Sequence, residues 1–430
     1  MSPAYLFYNA LTCLAAPAVL AAALLRGRLR GNWSERFGFS GPASGGSGPR
    51  VWIHAVSVGE VQVAAALAEA LKRRAPGLEL WVSTTTAAGR SAAVSALGGL
   101  AGVLTFPFDF SGCPERALSR LRPDLVILLE TELWPNFIKA ARRSGAATML
   151  ANGRISPRSA AGYRRLGFLF REVLGYLDMM LMIREEDRDR VLSMGADPDR
   201  VRVAGNAKYA LLRERVDADR AGALRREYGL DDGRPVLAAG SIRSGEEALL
   251  LEVFLRLRPE FPDLVLVLAP RHVDRAARIE RLARDRGLSV GRRSRLGRDE
   301  RPDVIVVDVM GELFYLYGLA DAAFCGASLV PLGGQNPLEP AAWGRPVLYG
   351  PSMEDFLDAR DLLEAAGAGR TVTGPDSLYD EVRSLLADPA EARRRGEAGR
   401  RALAGAGGSP DRLAEAALVL LEERMRRGKN

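Results

Sequence analysis

Cysteine is scarce in this chain: three in 430 residues, Cys13, Cys113 and Cys325, with no paired spacing. That argues against a disulfide framework or a zinc site and fits a reducing compartment. Histidine is scarcer still, His54 and His272 only, which excludes a histidine-rich metal centre. No G-x-G-x-x-G follows the first expected strand of either half, and this argues against an NAD-type dehydrogenase. There is no large low-complexity tract, and 47% apolar with 26% charged residues describes a folded chain, since disordered chains carry fewer apolar groups. Charge is missing altogether from Met1 to Leu25. Over the whole chain basic residues prevail, to a net +7, which suits an acidic partner: nucleic acid, an anionic membrane or a phosphorylated substrate.

The uncharged opening chooses among these. Leu6, Phe7, Leu11, Leu14, Val19, Leu20, Leu24 and Leu25 make a run long enough to cross a bilayer. A cleaved signal peptide puts its basic residues before the apolar run, whereas Arg26, Arg28 and Arg30 follow it here. The positive-inside rule then places the bulk of the chain on the cytoplasmic face of the inner membrane. Asn9 and Pro17 interrupt the run, so a helix lying in one leaflet is an alternative to a spanning one, and a buried core helix is the reading without a membrane. The Arg-rich piece from Arg292 to Arg301 has no interleaved aromatic residue. It reads as a solvated loop, and no nucleic-acid partner is expected.

At this length two to three domains are expected. Ser40 to Pro49 reads as a flexible linker. Beyond it, short apolar runs alternate with helical patterns. The expected strands are Val51–Ala55, Leu80–Thr84, Val103–Phe106, Leu125–Leu129, Ala147–Ala151, Met179–Ile183 and Val201–Ala204, then Val236–Gly240, Leu264–Ala269, Val304–Asp308, Ala322–Cys325 and Pro346–Tyr349. This is an α/β pattern of two parallel, doubly wound sheets. The charged helical stretch Asp217–Gly233 marks the boundary. The expected division is an anchor helix with basic flank over 1–30, an N-terminal Rossmann-like domain over 31–216 and a C-terminal one over 217–430, whose last helix can pack back on the first.

Several segments carry chemistry. In L-G-G-Q-N-P-L-E, from Leu332, two glycines permit a tight turn, Asn336 can cap a helix, Pro337 and Leu338 suit its first turn, and Glu339 falls three residues after the cap. Such a helix start either is merely well capped or binds phosphate. In W-I-H-A-V-S-V-G-E, Ser57 and Glu60 have capping-box spacing, so Glu60 either folds back on its own helix or stands as a base at a strand's carboxyl end. In L-L-E-T-E-L-W-P-N, Glu130 and Glu132 follow a buried strand, and on a continuing strand they would point to opposite sides. They either decorate a helix start or place one acid in the ligand crevice. Lys208, in G-N-A-K, is a surface charge or a cation for a developing anion. Pro270-Arg271 and Met310-Gly311-Glu312 also end expected strands, and Arg271 can grip a phosphate or carboxylate with two bonds.

Taken together in this order, H-x-x-S-V-G-E, L-E-T-E-L-W-P-N, G-N-x-K, Pro270-Arg271, Met310-Gly311-Glu312 and G-G-x-N-P-L-E resemble the motifs of the Kdo transferases of lipid A biosynthesis, from the anchor to about Phe356. The resemblance implies the GT-B glycosyltransferase architecture, two Rossmann-like domains facing across a cleft. It implies transfer of 3-deoxy-D-manno-octulosonic acid (Kdo) from CMP-Kdo to a lipid A precursor, without metal or other cofactor. It makes Glu60 the general base, Glu130 and Lys208 the transition-state stabilisers, and Pro270, Arg271, Met310, Gly311, Glu312 and Asn336 to Glu339 the CMP site. Departures from the pattern are Ile242, Arg243 and Ser244 in S-I-R-S-G-E-E, Val309 before Met310, Gln335 before Asn336, and Ala210 two residues after Lys208. They leave two alternatives: a GT-B transferase of another nucleotide sugar, and a catalytically silent, membrane-anchored nucleotide or lipid binder.

Overall fold

The computed structural model describes residues 2–25, 32–41, 48–243, 245–297 and 300–427, the side chains of 18–25 and 158 aside. The basic flank Arg26 to Arg30, most of the expected linker, and Ser244 lie outside them. Two compact units emerge: one runs to Leu211 and resumes at Gly407, and the other spans Leu212–Ala406. The division falls inside the helix Ala207–Glu214, a few residues before Asp217.

Unit 1 holds β1 (Arg50–His54), β2 (Glu79–Thr84), β3 (Gly102–Thr105), β4 (Leu125–Leu129), β5 (Ala147–Gly153), β6 (Met179–Met182) and β7 (Val201–Val203). They form one parallel sheet in the order β3-β2-β1-β4-β5-β6-β7. β4 is apolar at every residue because helices cover both faces of a doubly wound sheet. Alternate residues sort between two cores. Val51, Ile53, Leu125, Ile127 and Leu129 pack with the helices Val58–Arg74 and Pro410–Arg427, so the last helix belongs to this unit. Trp52, Val126 and Leu128 pack with Phe137, Ile138, Phe170 and Tyr5 on the other face.

Tyr5 belongs to the N-terminal helix, Pro3–Leu25. Its ring is fully buried, worth roughly 2 kcal/mol of apolar burial, and its hydroxyl donates to the Pro135 carbonyl at 2.9 Å. One turn on, the Tyr8 hydroxyl donates to Asp109 Oδ2 at 2.8 Å, and Asn136 Nδ2 donates to Asn9 Oδ1 at 2.7 Å. The start of this helix is therefore docked on the unit. Its other side exposes Leu6, Phe7, Leu11 and Leu14, the last 81% exposed. Among the described residues no helix is long and apolar enough to cross a membrane.

Unit 2 holds β8 (Val236–Ile242), β9 (Val265–Pro270), β10 (Val290–Arg292), β11 (Val304–Val306), β12 (Ala322–Cys325), β13 (Val347–Tyr349) and β14 (Gly369–Thr371). Their order is β10-β11-β9-β8-β12-β13-β14, again all parallel. The two strands not anticipated, β10 and β14, are three-residue sheet edges containing glycine and arginine, which strand propensity disfavours and neighbouring strands override. β10 also corrects the solvated-loop reading of Arg292 to Arg301. Arg292 closes that strand and pairs with Asp308 at 2.9 Å, and Arg293 is bound by two carboxylates, Glu227 and Glu312.

Candidate functional site

In unit 1 the chain runs from β1 outward through β2 to β3 and then crosses back to β4 on the other side of β1, so the carboxyl ends of β1 and β4 flank a topological switch point, where such sheets bind ligands. Glu60 follows β1 and is 6% exposed. Its carboxylate accepts from the Val56 N–H at 2.8 Å and the Ser57 N–H at 3.2 Å, while Ser57 Oγ accepts from the Glu60 N–H at 3.2 Å. The capping box is thus formed, and it fixes the carboxylate at the switch point. One carboxylate thus both caps its helix and stands at the end of β1.

Glu130 and Glu132 follow β4. The strand stops at Leu129, and Glu130 adopts φ +56°, a left-handed conformation that costs a glutamate on the order of 1 kcal/mol. That turn breaks the alternation expected of a strand. The Glu132 carboxyl is pushed up to about 7 by burial and then by the charges of Glu60 and Glu130, so all three acids share one neighbourhood instead of splitting between faces. Trp134 Nε1 donates to Glu132 Oε2 at 2.7 Å.

His54, at the end of β1, is fully buried and stacked on Phe106 with ring centres 3.6 Å apart. Burial lowers its pKa to about 3, so the ring is neutral. Its Nδ1 lies 3.2 Å from the Ser83 carbonyl and 3.0 Å from Ser83 Oγ, and its Nε2 faces Glu132 Oε2 at 3.9 Å. The sequence pattern offered Glu132 only as one of two acids of which one enters the crevice, and it gave no sign of His54.

Lys208 forms an ion pair with Glu130. Its stem runs beside Gly59, where an added Cβ would make ordinary contact with Lys208 Cε at 3.5 Å. Asn152, buried at φ +53° near the end of β5, accepts the Ala207 N–H at 2.8 Å, and Asn206 Oδ1 accepts the Lys208 N–H at 3.0 Å. These two side chains aim the helix start that carries the lysine. Asp109 does the same for the W-P-N segment: it accepts the Asn136 and Phe137 N–H groups at 3.0 and 2.7 Å, and burial pushes it up to about 7.

In unit 2 the strand ends around β8 enclose a cavity of about 870 Å³ open to solvent. Pro270, Arg271, Met310, Gly311, Asn336 and Glu339 line it together. Gln335, one of the departures from the motif pattern, lines it too, as do Arg215, Ser241 and Phe356, which no motif singled out. Arg215 lies with its guanidinium 4.2 Å over the Phe314 ring, and Ser241 turns at φ +54°. Burial raises the Glu339 pKa while Arg215 and Arg271 oppose the rise.

Two expectations need correction here. Glu312 does not line the cavity. It is engaged by Arg293 at 2.8 and 3.0 Å and by the Tyr228 hydroxyl at 2.7 Å, a structural cluster. The helix after Asn336 is a single turn, Leu338–Ala342, with Pro337 at the cap position. Asn336 Oδ1 accepts only the Leu338 N–H, at 3.1 Å, and Pro337 and buried Leu338 stand outside the cavity walls. So short a helix has little dipole, and the shape here comes from Gly333 and Gly334 at φ +82° and +77°. In S-I-R-S-G-E-E, Ile242 is buried in β8 and Arg243 Nη1 bonds His272 Nε2 at 2.7 Å. The acids are structural: Glu246 accepts the Ala327, Ser328 and Leu329 N–H groups at 2.7 to 3.0 Å.

Paired doubly wound domains of this kind recur in nucleotide-sugar enzymes. UDP-GlcNAc 2-epimerase from Neisseria meningitidis, solved with UDP-GlcNAc, matches with a TM-score of 0.61 at 16% identity, over 86% of this chain and 99% of that one, and shows the fold class. Residues 31–211 match the family described as 3-deoxy-D-manno-octulosonic-acid transferase (kdotransferase). The 3-deoxy-D-manno-octulosonic acid transferase of Bordetella pertussis is 35% identical over 90% of this chain and 92% of its own length. That of Haemophilus influenzae is 31% identical over 97% and 98%. The chain belongs to this glycosyltransferase family.

Proposed function

We propose that the protein transfers Kdo from CMP-Kdo to a hydroxyl of a lipid A precursor in lipopolysaccharide biosynthesis, as an inverting enzyme. The observation that carries this reading, in a member of the family, is the grouping of Glu60, Glu130 and Glu132 beyond the adjoining ends of β1 and β4, with Lys208 reaching Glu130 from the helix after β7. Glu60, with two backbone N–H groups fixing it, takes the acceptor hydroxyl's proton. The oxygen bonds to the anomeric carbon of Kdo as that carbon's bond to the CMP phosphate breaks, and CMP leaves with the electron pair. A proton held on Glu132 at neutral pH lowers the repulsion among the three acids, so that Glu60 remains the base. Lys208 offsets negative charge developing on the phosphate and the sugar's carboxylate, and Glu130 holds Lys208 in place. The unit-2 cavity holds CMP, with Arg271 and Arg215 as its cations.

A donor panel tests the reading. CMP-Kdo should support mass gain on the lipid, while UDP-sugars and a CMP-sugar of another acid should not; a different preferred donor would assign the altered Arg243, Val309 and Gln335 positions to another substrate.

The N-terminal helix rests, in this account, on the cytoplasmic face of the inner membrane. Exposed Leu6, Phe7, Leu11, Leu14 and neighbouring Phe168 supply the apolar face, and the net charge of +7 suits anionic lipid. Flotation with anionic vesicles should be lost when Leu11 and Leu14 become serine; unchanged flotation would refute this face.

A further inference from the structure

Unit 1 carries a second cavity, of about 910 Å³ open to solvent, beyond the ends of β2 and β3. Its walls include Asn32, Arg36, Thr86, Arg90, Ser91 and Thr105. None of these has a part in the chemistry above.

Ala87 and Val94 supply apolar wall, and the described polar groups of the walls are one-sided, with no acid among them. Arg36 is only 3% exposed. One of its terminal nitrogens donates to the Thr85 carbonyl at 2.8 Å, and its Nε has no partner among the described residues. A guanidinium cannot shed its charge in compensation. Arg90 Nη1 donates to Glu35 Oε2 at 2.9 Å and to Thr105 Oγ1 at 3.1 Å. Glu35 also accepts the Thr105 N–H at 2.8 Å, so its carboxylate is already shared, and two guanidinium groups face one acid. The helix Ala87–Leu97 begins at the same place: Thr86 Oγ1 accepts the Gly89 N–H at 3.0 Å, and the other first-turn N–H groups have no partner within the helix. The hydroxyls of Thr84 and Thr85, which precede the wall residue Thr86, are buried without a partner among the described residues. The buried Nε of Arg36, in the wall itself, is thus a donor that lacks an acceptor among those residues.

We propose that this cavity binds the phosphate of a phosphomonoester. Paired arginines, hydroxyls and a helix start present donors to a tetrahedral dianion. The cavity also adjoins the reaction site. A Cβ on Gly89 would lie 3.2 Å from the Val56 carbonyl, and Val56 is the residue whose N–H holds Glu60. A phosphate here belongs either to the acceptor's headgroup or to a free small molecule; only the first source rests on the proposed function.

The test titrates inorganic phosphate and glucose 1-phosphate into full-length protein and into Arg90→Gln, in an Arg271→Ala background that weakens the other cationic cavity. The proposal predicts saturable binding that Arg90→Gln weakens about tenfold or more, the loss expected for one charge-assisted contact. Ser91→Asp, which puts a carboxylate at the helix start, should weaken it similarly. No binding to folded parent protein, or equal binding by all three proteins, would overturn the proposal. Transfer to an acceptor before and after phosphatase treatment then identifies the source. A raised KM in Arg90→Gln for the phosphorylated acceptor alone assigns the headgroup, and unchanged KM values with lost phosphate binding assign a free ligand. Should no acceptor be glycosylated by the parent protein, the transferase reading fails while the titration still decides the cavity.

Discussion

Lys208, just beyond β7, is ion-paired with Glu130, just beyond β4, and the glutamate holds a left-handed backbone to make the pair. A structural salt bridge on a partly open surface contributes little, so backbone strain spent on one points to function. Lys208→Met and Glu130→Gln should each lower kcat by about a hundredfold, the scale of a lost oxyanion contact. The double variant should be no slower than the worse single, because the residues act as a unit. Additive losses in single-turnover kinetics would separate their roles.

Glu132 gives a pH signature. Its pKa is raised to about 7 by burial, then by Glu60 and Glu130. A carboxyl whose folded pKa lies above its unfolded value favours folding while protonated, and that contribution disappears as pH rises through the folded pKa. Glu132→Gln should therefore gain stability relative to the parent between pH 5 and 8, by on the order of 2 kcal/mol. Asp109, raised to about 7 as well, remains in both proteins and cancels in the comparison. Urea unfolding at the two pH values reads the difference, and a gain confined to low pH would contradict the assignment.

Arg271 shares the unit-2 cavity with Glu339, whose burial it helps to offset. Arg271→Ala should raise the Kd for CMP about tenfold. Arg271→Lys should recover only part of it, because a lysine cannot make two parallel bonds. Calorimetric titration with CMP checks both.

Glu312 behaves differently. Held by Arg293 and Tyr228 away from the cavity walls, it should matter to stability. Glu312→Gln should cost about 3 kcal/mol of unfolding free energy, as breaking a largely buried pair does. CMP affinity of the folded fraction should stay within about twofold, a change of under half a kcal/mol. A large affinity loss at unchanged stability would return Glu312 to the ligand site.

The sheets were legible because parallel strands buried on both faces leave continuous apolar runs such as Leu125–Leu129. β10 and β14 were not, since Val290–Arg292 and Gly369–Thr371 become strands only through the neighbours they pair with. Within the site, the Ser57–Glu60 box was readable because it is local in sequence. The shared neighbourhood of Glu60, Glu130 and Glu132 was hidden, since it depends on a left-handed turn at a residue type that rarely adopts one. The capping reading of Asn336 held in part: its Oδ1 accepts the Leu338 N–H, but the helix ends after one turn, and Glu339 takes up the cavity wall instead of folding back.

The most direct measurement is CMP release from CMP-Kdo by detergent-solubilised protein, with and without a tetra-acylated lipid A precursor, beside Glu60→Ala. The account predicts acceptor-dependent release with a matching mass gain on the lipid, abolished in Glu60→Ala although that variant binds CMP as the parent does. Release that ignores the acceptor, or full turnover without Glu60, would contradict it.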